Sequence, residues 1–331
     1  MRKEKYYSGQ GISELKSEYL YSNSFAEGID EIEGQEEFKE LRQKILRLIK
    51  KYFPTLSAKY QPPELELIYQ NYTYICSLVE SNDYKQINLA GREFLFTAAV
   101  RLIDNFIDEV YWPEVVMQEK DENGKQTAYR TMEKFLHEAQ EIIAPYDPYM
   151  PQEIKELPLI ELRLALHPDQ KTFDNEIENY FERKSFNIAY LRHLVHREQS
   201  QSEELWTEKE RSQNHLVAAW DISRDLQSIN REKSDFSIFK HIEQHDLNPE
   251  RLVYLLIKVI KQTSPTIFAL YKAYDKPMEY NNDSWEQIEY AFNNDNLTQQ
   301  NKFFIRCCLQ ALYYLEENLT NSKAENPIET V

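Results

Sequence analysis

The chain reads as all-α, an α-helical bundle, and three observations carry that reading. Only six glycines occur in 331 residues and none follows Gly124, so the later part lacks the residues that tight hairpins and phosphate-binding loops need. Apolar residues recur every three or four positions in one long segment after another. Proline, Asn and Asp fall mostly where those segments end.

In order along the chain, residues 1–35 hold Gly9, Gly11, Gly28 and Gly34 among polar residues and read as a loosely ordered lead-in. Glu36 to Phe53 carries Phe38, Leu41, Ile45, Leu48 and Ile49 at helical spacing and is stopped by Pro54. Pro62 and Pro63 open a second helical run with Leu65, Ile68, Tyr72, Ile75 and Leu78, ended by Asn82-Asp83. Phe94 to Trp112 is apolar apart from one polar line, and Pro113 is expected to end it. Residues 118–129 read as a polar turn about Asn123-Gly124, with a helix after it to about Ile143. Pro145, Pro148, Pro151 and Pro158 break the chain as a long loop within one domain. Further helices are expected over Asp174–Arg197, Glu203–Glu232, a run capped by Asn248-Pro249 and reaching Ile260, Trp285–Phe292 and Asn301–Glu317, with a kink at Pro265. The expected organisation is a single α-helical domain over 36–320 and a tail over 321–331, without repeats.

A formal charge of -17 argues against nucleic acid as partner, because no basic face is available to meet a phosphate backbone. Cys76, Cys307 and Cys308 have no metal spacing, which points to a reduced, cytoplasmic setting. No run of apolar residues is long enough for stable membrane insertion, and the N-terminus leads into no signal-like apolar stretch. The histidines, His167 among them, are read as showing no H-x-x-x-H zinc pair, and His193 and His196 at i, i+3 read as surface residues. No G-x-S-x-G, P-loop or C-x-x-C is present. A homodimer is left open.

The chemistry is carried by two polar lines on otherwise apolar helices. One holds Arg101, Asp104, Asn105, Asp108 and Glu109. The other runs from Trp220 to Glu232, where Asp221, Arg224, Asp225, Ser228 and Glu232 fall at offsets of 0, 3, 4, 7 and 11. Carboxylate and hydroxyl oxygens in such a line suit a hard divalent cation such as Mg²⁺, which keeps positions open for water or phosphate. Taken alone, either line could equally be a solvated helix face, with Arg101 paired to Asp104 or Asn105.

These two lines carry a resemblance. D-N-F-I-D-E at Asp104 to Glu109 resembles the aspartate-rich motif of class I terpene synthases, and R-D-L-Q-S-I-N-R-E at Arg224 to Glu232 resembles their N-D-x-x-S-x-x-x-E metal motif. The similarity covers roughly residues 90–320. It implies an all-α bundle of the isoprenoid synthase type, with three Mg²⁺ ions holding an allylic diphosphate whose loss starts carbocation cyclisation. Asp104, Asp108, Asp225, Ser228 and Glu232 are the implied metal ligands. Arg183, Arg224 and Arg306 are the implied catalytic cations on the diphosphate, and Phe96, Phe106, Phe186, Trp220 and Phe303 the implied lining for substrate. Asn105 stands where the pattern has a second Asp, and Arg224 where it has the Asn ligand. A guanidinium cannot ligate a cation, so either Asp221 or Asp225 substitutes, or Arg224 contacts the diphosphate directly. No glycine follows Arg183, and Cys307 rather than Tyr follows Arg306.

The expectation is therefore an Mg²⁺-dependent lyase that ionises a linear prenyl diphosphate, farnesyl diphosphate first, and cyclises or rearranges the cation. The alternative is a prenyltransferase of the same fold that passes the allylic group to a small-molecule acceptor. A non-catalytic helical binding protein is the third reading, favoured if Arg224 abolishes metal binding.

Overall fold

The computed structural model describes residues 36–64, 92–119, 121–146, 156–196, 208–228, 236–273, 287, 288, 290–292, 297 and 299–325. Among them helices dominate and no strand occurs, in agreement with the all-α expectation. The lead-in and the helical run expected over 65–83 lie outside the described residues. By contacts the chain divides into two compact units, one of residues 1–110 with 134–150 and the other of residues 111–133 with 151–331.

In the first unit, α1 (Glu36–Tyr52) buries Phe38, Leu41, Ile45, Leu48 and Ile49 as one stripe. It packs on α2 (Arg92–Phe106). The core between them is aromatic: Phe53 stands 5.3 Å from both Phe106 and Phe135, and Tyr60 stands 5.3 Å from Phe106. Tyr60 buries its ring there and donates its hydroxyl to the Leu102 carbonyl at 2.7 Å. Tyr60→Phe is expected to lower stability by about 1 kcal/mol, the net value of one such bond, read as a lower denaturant midpoint with an unchanged slope.

Pro113 does not end the helix that begins as α2. From Ile107 to Val116 the chain continues as a π-helix with Pro113 inside it, closed by the Met117 N–H on the Trp112 carbonyl at 3.0 Å. The ring of a proline collides with the carbonyl four residues back in an α-helix, and the wider π turn relieves that collision at the loss of one rung. Asn123-Gly124 also differs from the expected turn, because α3 (Glu122–Ile143) already includes both residues. Asp121 is the reason. Its carboxylate accepts from the N–H groups of Asn123 and Gly124 at 3.3 and 3.2 Å, an N-cap that the Asn-Gly pair disguises.

In the second unit, α4 (Glu156–Leu166) places Pro158 in its first turn, where a missing N–H costs nothing. Asp169 caps α5 (Gln170–His196) by accepting from the Thr172 N–H at 2.9 Å, so the helix starts ahead of the expected Asp174. Within the helix expected over Glu203–Glu232, α6 (Glu208–Arg224) passes into a 3-10 turn over Asp225–Ser228, and residues 203–207 and 229–232 lie outside the described residues. Every residue from Leu216 to Trp220 is buried, because α5, α6's neighbour on one side, is joined by two later helices on the others. These are α8 (Glu250–Thr263), which follows the short α7 (Ile238–His245), and α10 (Gln299–Glu325). Between α8 and α10, Pro265 opens a separate helix, α9 (Pro265–Ala273), with Ser264 accepting from the Ile267 N–H at 3.2 Å. The Asn248 side chain accepts from the Glu250 N–H at 3.0 Å, the expected cap of α8. No helix among the described residues is long and apolar enough to cross a membrane.

Candidate functional site

In the second unit, α5 and α6 bring together a group of charges on an apolar background. The α6 surface is buried through Ala219, Trp220, Ile222 and Ser223, so Asp221 emerges as a carboxylate held among packed helices, its side chain only 22% exposed. Each of its oxygens meets a cation. Lys184 Nζ lies 3.3 Å from Oδ2, and Arg224 Nη2 lies 3.0 Å from Oδ1. Lys184 comes from the inward row of α5 that also carries Phe173, Ile177 and Tyr180, and its side chain is 20% exposed. Burial alone would lower its pKa; the carboxylates of Asp221, Glu161 and Asp225 around it outweigh burial and hold it well above the ordinary lysine value. The ammonium is therefore permanent at any physiological pH.

Aromatic faces surround these charges. Lys184 Nζ stands 5.6 Å from the centre of the Tyr180 ring, and the Arg224 guanidinium stands 5.6 Å from the Trp220 ring. Tyr180 is wholly buried, its hydroxyl has no hydrogen-bond partner among the described residues, and burial raises its pKa well above that of a free phenol. Trp112 and Tyr180 both pack edge-on against Phe236, at 5.5 and 6.0 Å.

The residues singled out from the sequence divide accordingly. Trp220, Asp221, Arg224 and Asp225 gather here. Arg183 does not: its Nη2 pairs with Glu156 on α4 at 2.9 Å, since neighbouring residues on a helix point about 100° apart. Lys184, the next residue along α5, is the cation that reaches Asp221. Against Trp220, at 4.9 Å, stands Phe304; the neighbouring Phe303 touches the Phe304 ring at 6.0 Å. Arg306 sets its guanidinium 5.1 Å from the Phe292 ring. Glu232 lies outside the described residues, as do the side chains of Phe96, Phe186 and Ser228.

Asp104, Asp108 and Phe106 belong to the first unit. Phe106 is fully buried among Phe53, Tyr60 and Phe135, a core ring. Asp104 pairs with Arg101 one turn back, each side chain 43% exposed. Asn105 turns inward, and its Oδ1 is buried without a hydrogen-bond partner among the described residues. That orientation sharpens the contrast between the two neighbours. Asn105→Ala removes an unsatisfied polar atom and is expected to change kcat/KM less than threefold, whereas Asp104→Asn, if Asp104 ligates a metal, is expected to lower it by roughly 10²-fold. Steady-state kinetics on both folded variants decide; equal losses would make this line structural.

Two further signals in the sequence bear on these helices. Lys184 is a lysine in an otherwise apolar row at helical spacing, the pattern of a charge directed inward. The other is an H-x-x-x-H spacing at His241 and His245, contrary to the reading that the histidines offer no such pair. Both rings lie on α7 with centroids 5.0 Å apart. Burial lowers the His241 pKa to about 4, with His245 adding to the shift, and burial lowers His245 as well.

A surface groove of about 500 Å³ lies at the first turns of α5 and α8, bordered by Asp174, Glu178, Arg251 and Tyr254. Its polar groups are occupied with one another: Gln170 and Asn248 exchange hydrogen bonds at 2.7 and 3.1 Å, and Arg251 bonds to Asp174. The charges on α5 and α6 carry more chemistry than this groove does. Among the described residues no group of three His, Cys, Asp or Glu side chains surrounds one point, as an all-protein metal cage would. Mg²⁺ asks for less, one or two carboxylates with phosphate oxygens, and Asp221 and Asp225 at the end of α6 offer carboxylates of that kind. No protein-family model, no curated protein and no solved structure matches the chain.

Proposed function

We propose that the protein is a class I terpene synthase, an Mg²⁺-dependent carbon–oxygen lyase that ionises a linear prenyl diphosphate, farnesyl diphosphate first, and cyclises or rearranges the cation. The observation that carries this reading is the placement of Lys184 and Arg224 on either side of Asp221, with Asp225 next in line. Breaking the allylic C–O bond sends its electron pair to the diphosphate, and fixed N–H donors stabilise the charge where it develops. Lys184 and Arg224 are such donors, and Asp221 orients both. Bound Mg²⁺ would supply further neutralisation of the diphosphate, held by Asp225 and, from the resemblance, by Ser228 and Glu232. The buried faces of Trp220 and Tyr180 suit a cation that must be kept from water. Arg224 departs from the motif because it serves as a donor to the diphosphate rather than as a metal ligand.

Incubation with prenyl diphosphates of increasing length and Mg²⁺, with volatile products followed by gas chromatography, tests the reading. A terpene hydrocarbon or alcohol is the expected product. A prenylated acceptor in its place would move the assignment to a prenyltransferase, and no consumption of any prenyl diphosphate would leave Lys184, Asp221 and Arg224 as a structural ion-pair network.

A further inference from the structure

We propose that His241 and His245 form a binding site for a first-row transition metal ion of the Zn²⁺ class. The pair is built for a shared ligand. Helix α7 is short and fixed at both ends, by Ser237, whose hydroxyl accepts from the Lys240 N–H, and by Asp246 in the left-handed conformation, so the two rings keep their one-turn separation. An imidazole nitrogen ligates such an ion at about 2.1 Å, which puts each ring centre roughly 3.2 Å from the metal, and a tetrahedral angle then separates the two centres by about 5.2 Å. The observed separation is 5.0 Å, with the ring planes 58° apart.

The polar atoms need a partner. His241 is 5% exposed, and its Nε2 is buried without a hydrogen bond among the described residues, an unusual state for an imidazole in a core. His245 stands one turn on and is exposed. The Phe236 ring packs 5.7 Å from His241. Both imidazoles are neutral at neutral pH, the form that ligates, and nitrogen ligands favour Zn²⁺, Ni²⁺ and Cu²⁺ over Mg²⁺. Water on the exposed side of His245 would fill the remaining positions. This site is independent of the proposed lyase activity, which rests on oxygen ligands and a different ion.

The test is a Zn²⁺ titration of the full chain, first stripped with chelator, in competition with a chromogenic zinc indicator. One equivalent is expected to bind, to be unaffected by millimolar Mg²⁺, and to raise Tm by about 2 °C or more at saturation. His245→Ala, at an exposed position where folding is unperturbed, is expected to weaken that equivalent roughly 10- to 100-fold and to remove the Tm shift, and His241→Ala to do the same. Unchanged Zn²⁺ affinity in His245→Ala would place the ion on other histidines and overturn the proposal. So would the absence of any equivalent that competes with the indicator.

Discussion

Asp225→Asn is expected to lower kcat/KM for farnesyl diphosphate by roughly 10²- to 10³-fold, the loss seen when one charge-stabilising group is taken from a transition state. The size follows from how Asp221 is occupied. Both of its oxygens already meet cations, Lys184 at 3.3 Å and Arg224 at 3.0 Å, and the resemblance names Asp225, next in the motif, as the metal ligand. Asp225 sits in a 3-10 turn past the end of α6, where an amide of the same shape can be accommodated, and the fold should persist. Mg²⁺ titration of turnover is the check: the variant should need a higher Mg²⁺ concentration as well as turning over more slowly. An Asp225→Asn enzyme with parental kinetics would remove Asp225 from the site and return the ligand role to Asp221.

Lys184→Met is expected to act on activity and stability together. As a diphosphate donor, Lys184 contributes about 1.5 to 3 kcal/mol to a charge-assisted contact, so kcat/KM should fall roughly 10- to 100-fold. As the partner of Asp221, it balances a half-buried carboxylate. Removing one member of a fully buried pair costs about 3 to 5 kcal/mol; with a fifth of each side chain exposed and Arg224 remaining on Asp221, about 2 kcal/mol is expected here. Equilibrium denaturation of Lys184→Met, Asp221→Asn and the double variant separates the two effects, because the double variant should regain most of the stability lost by the first while remaining impaired in turnover. A double variant that recovers both stability and turnover would mean that Lys184 serves Asp221 alone.

Much of the helical architecture could be read from the residues, and the failures have local causes. The stripe of Phe38, Leu41, Ile45 and Ile49 states α1 and its buried face directly, and Asn248-Pro249 states the start of α8. Asn123-Gly124 misleads because its turn propensity is overridden by the Asp121 carboxylate just ahead. Pro113 misleads because a π turn admits what an α turn rejects. At the site, the line of Trp220, Asp221, Arg224 and Asp225 was legible from helical spacing, and its ion pairs were not, since Lys184 reaches it from 37 residues away in sequence. Arg183 was the more conspicuous cation by chemistry, but a one-residue step around α5 aims it at Glu156 instead. Spacing defines which residues share a face; only the packing of α5 on α6 decides which cation meets which acid.

The proposed activity is cleavage of the allylic C–O bond of a prenyl diphosphate with the help of Mg²⁺. It is tested most directly by following pyrophosphate release from farnesyl diphosphate by the purified full chain, with Mg²⁺ present, after chelation, and after Mg²⁺ is restored. Release that depends on Mg²⁺, stops on chelation and returns on restoration is the expected result. Release that continues undiminished in excess chelator, or no release at all from farnesyl diphosphate or its longer and shorter homologues, would contradict it.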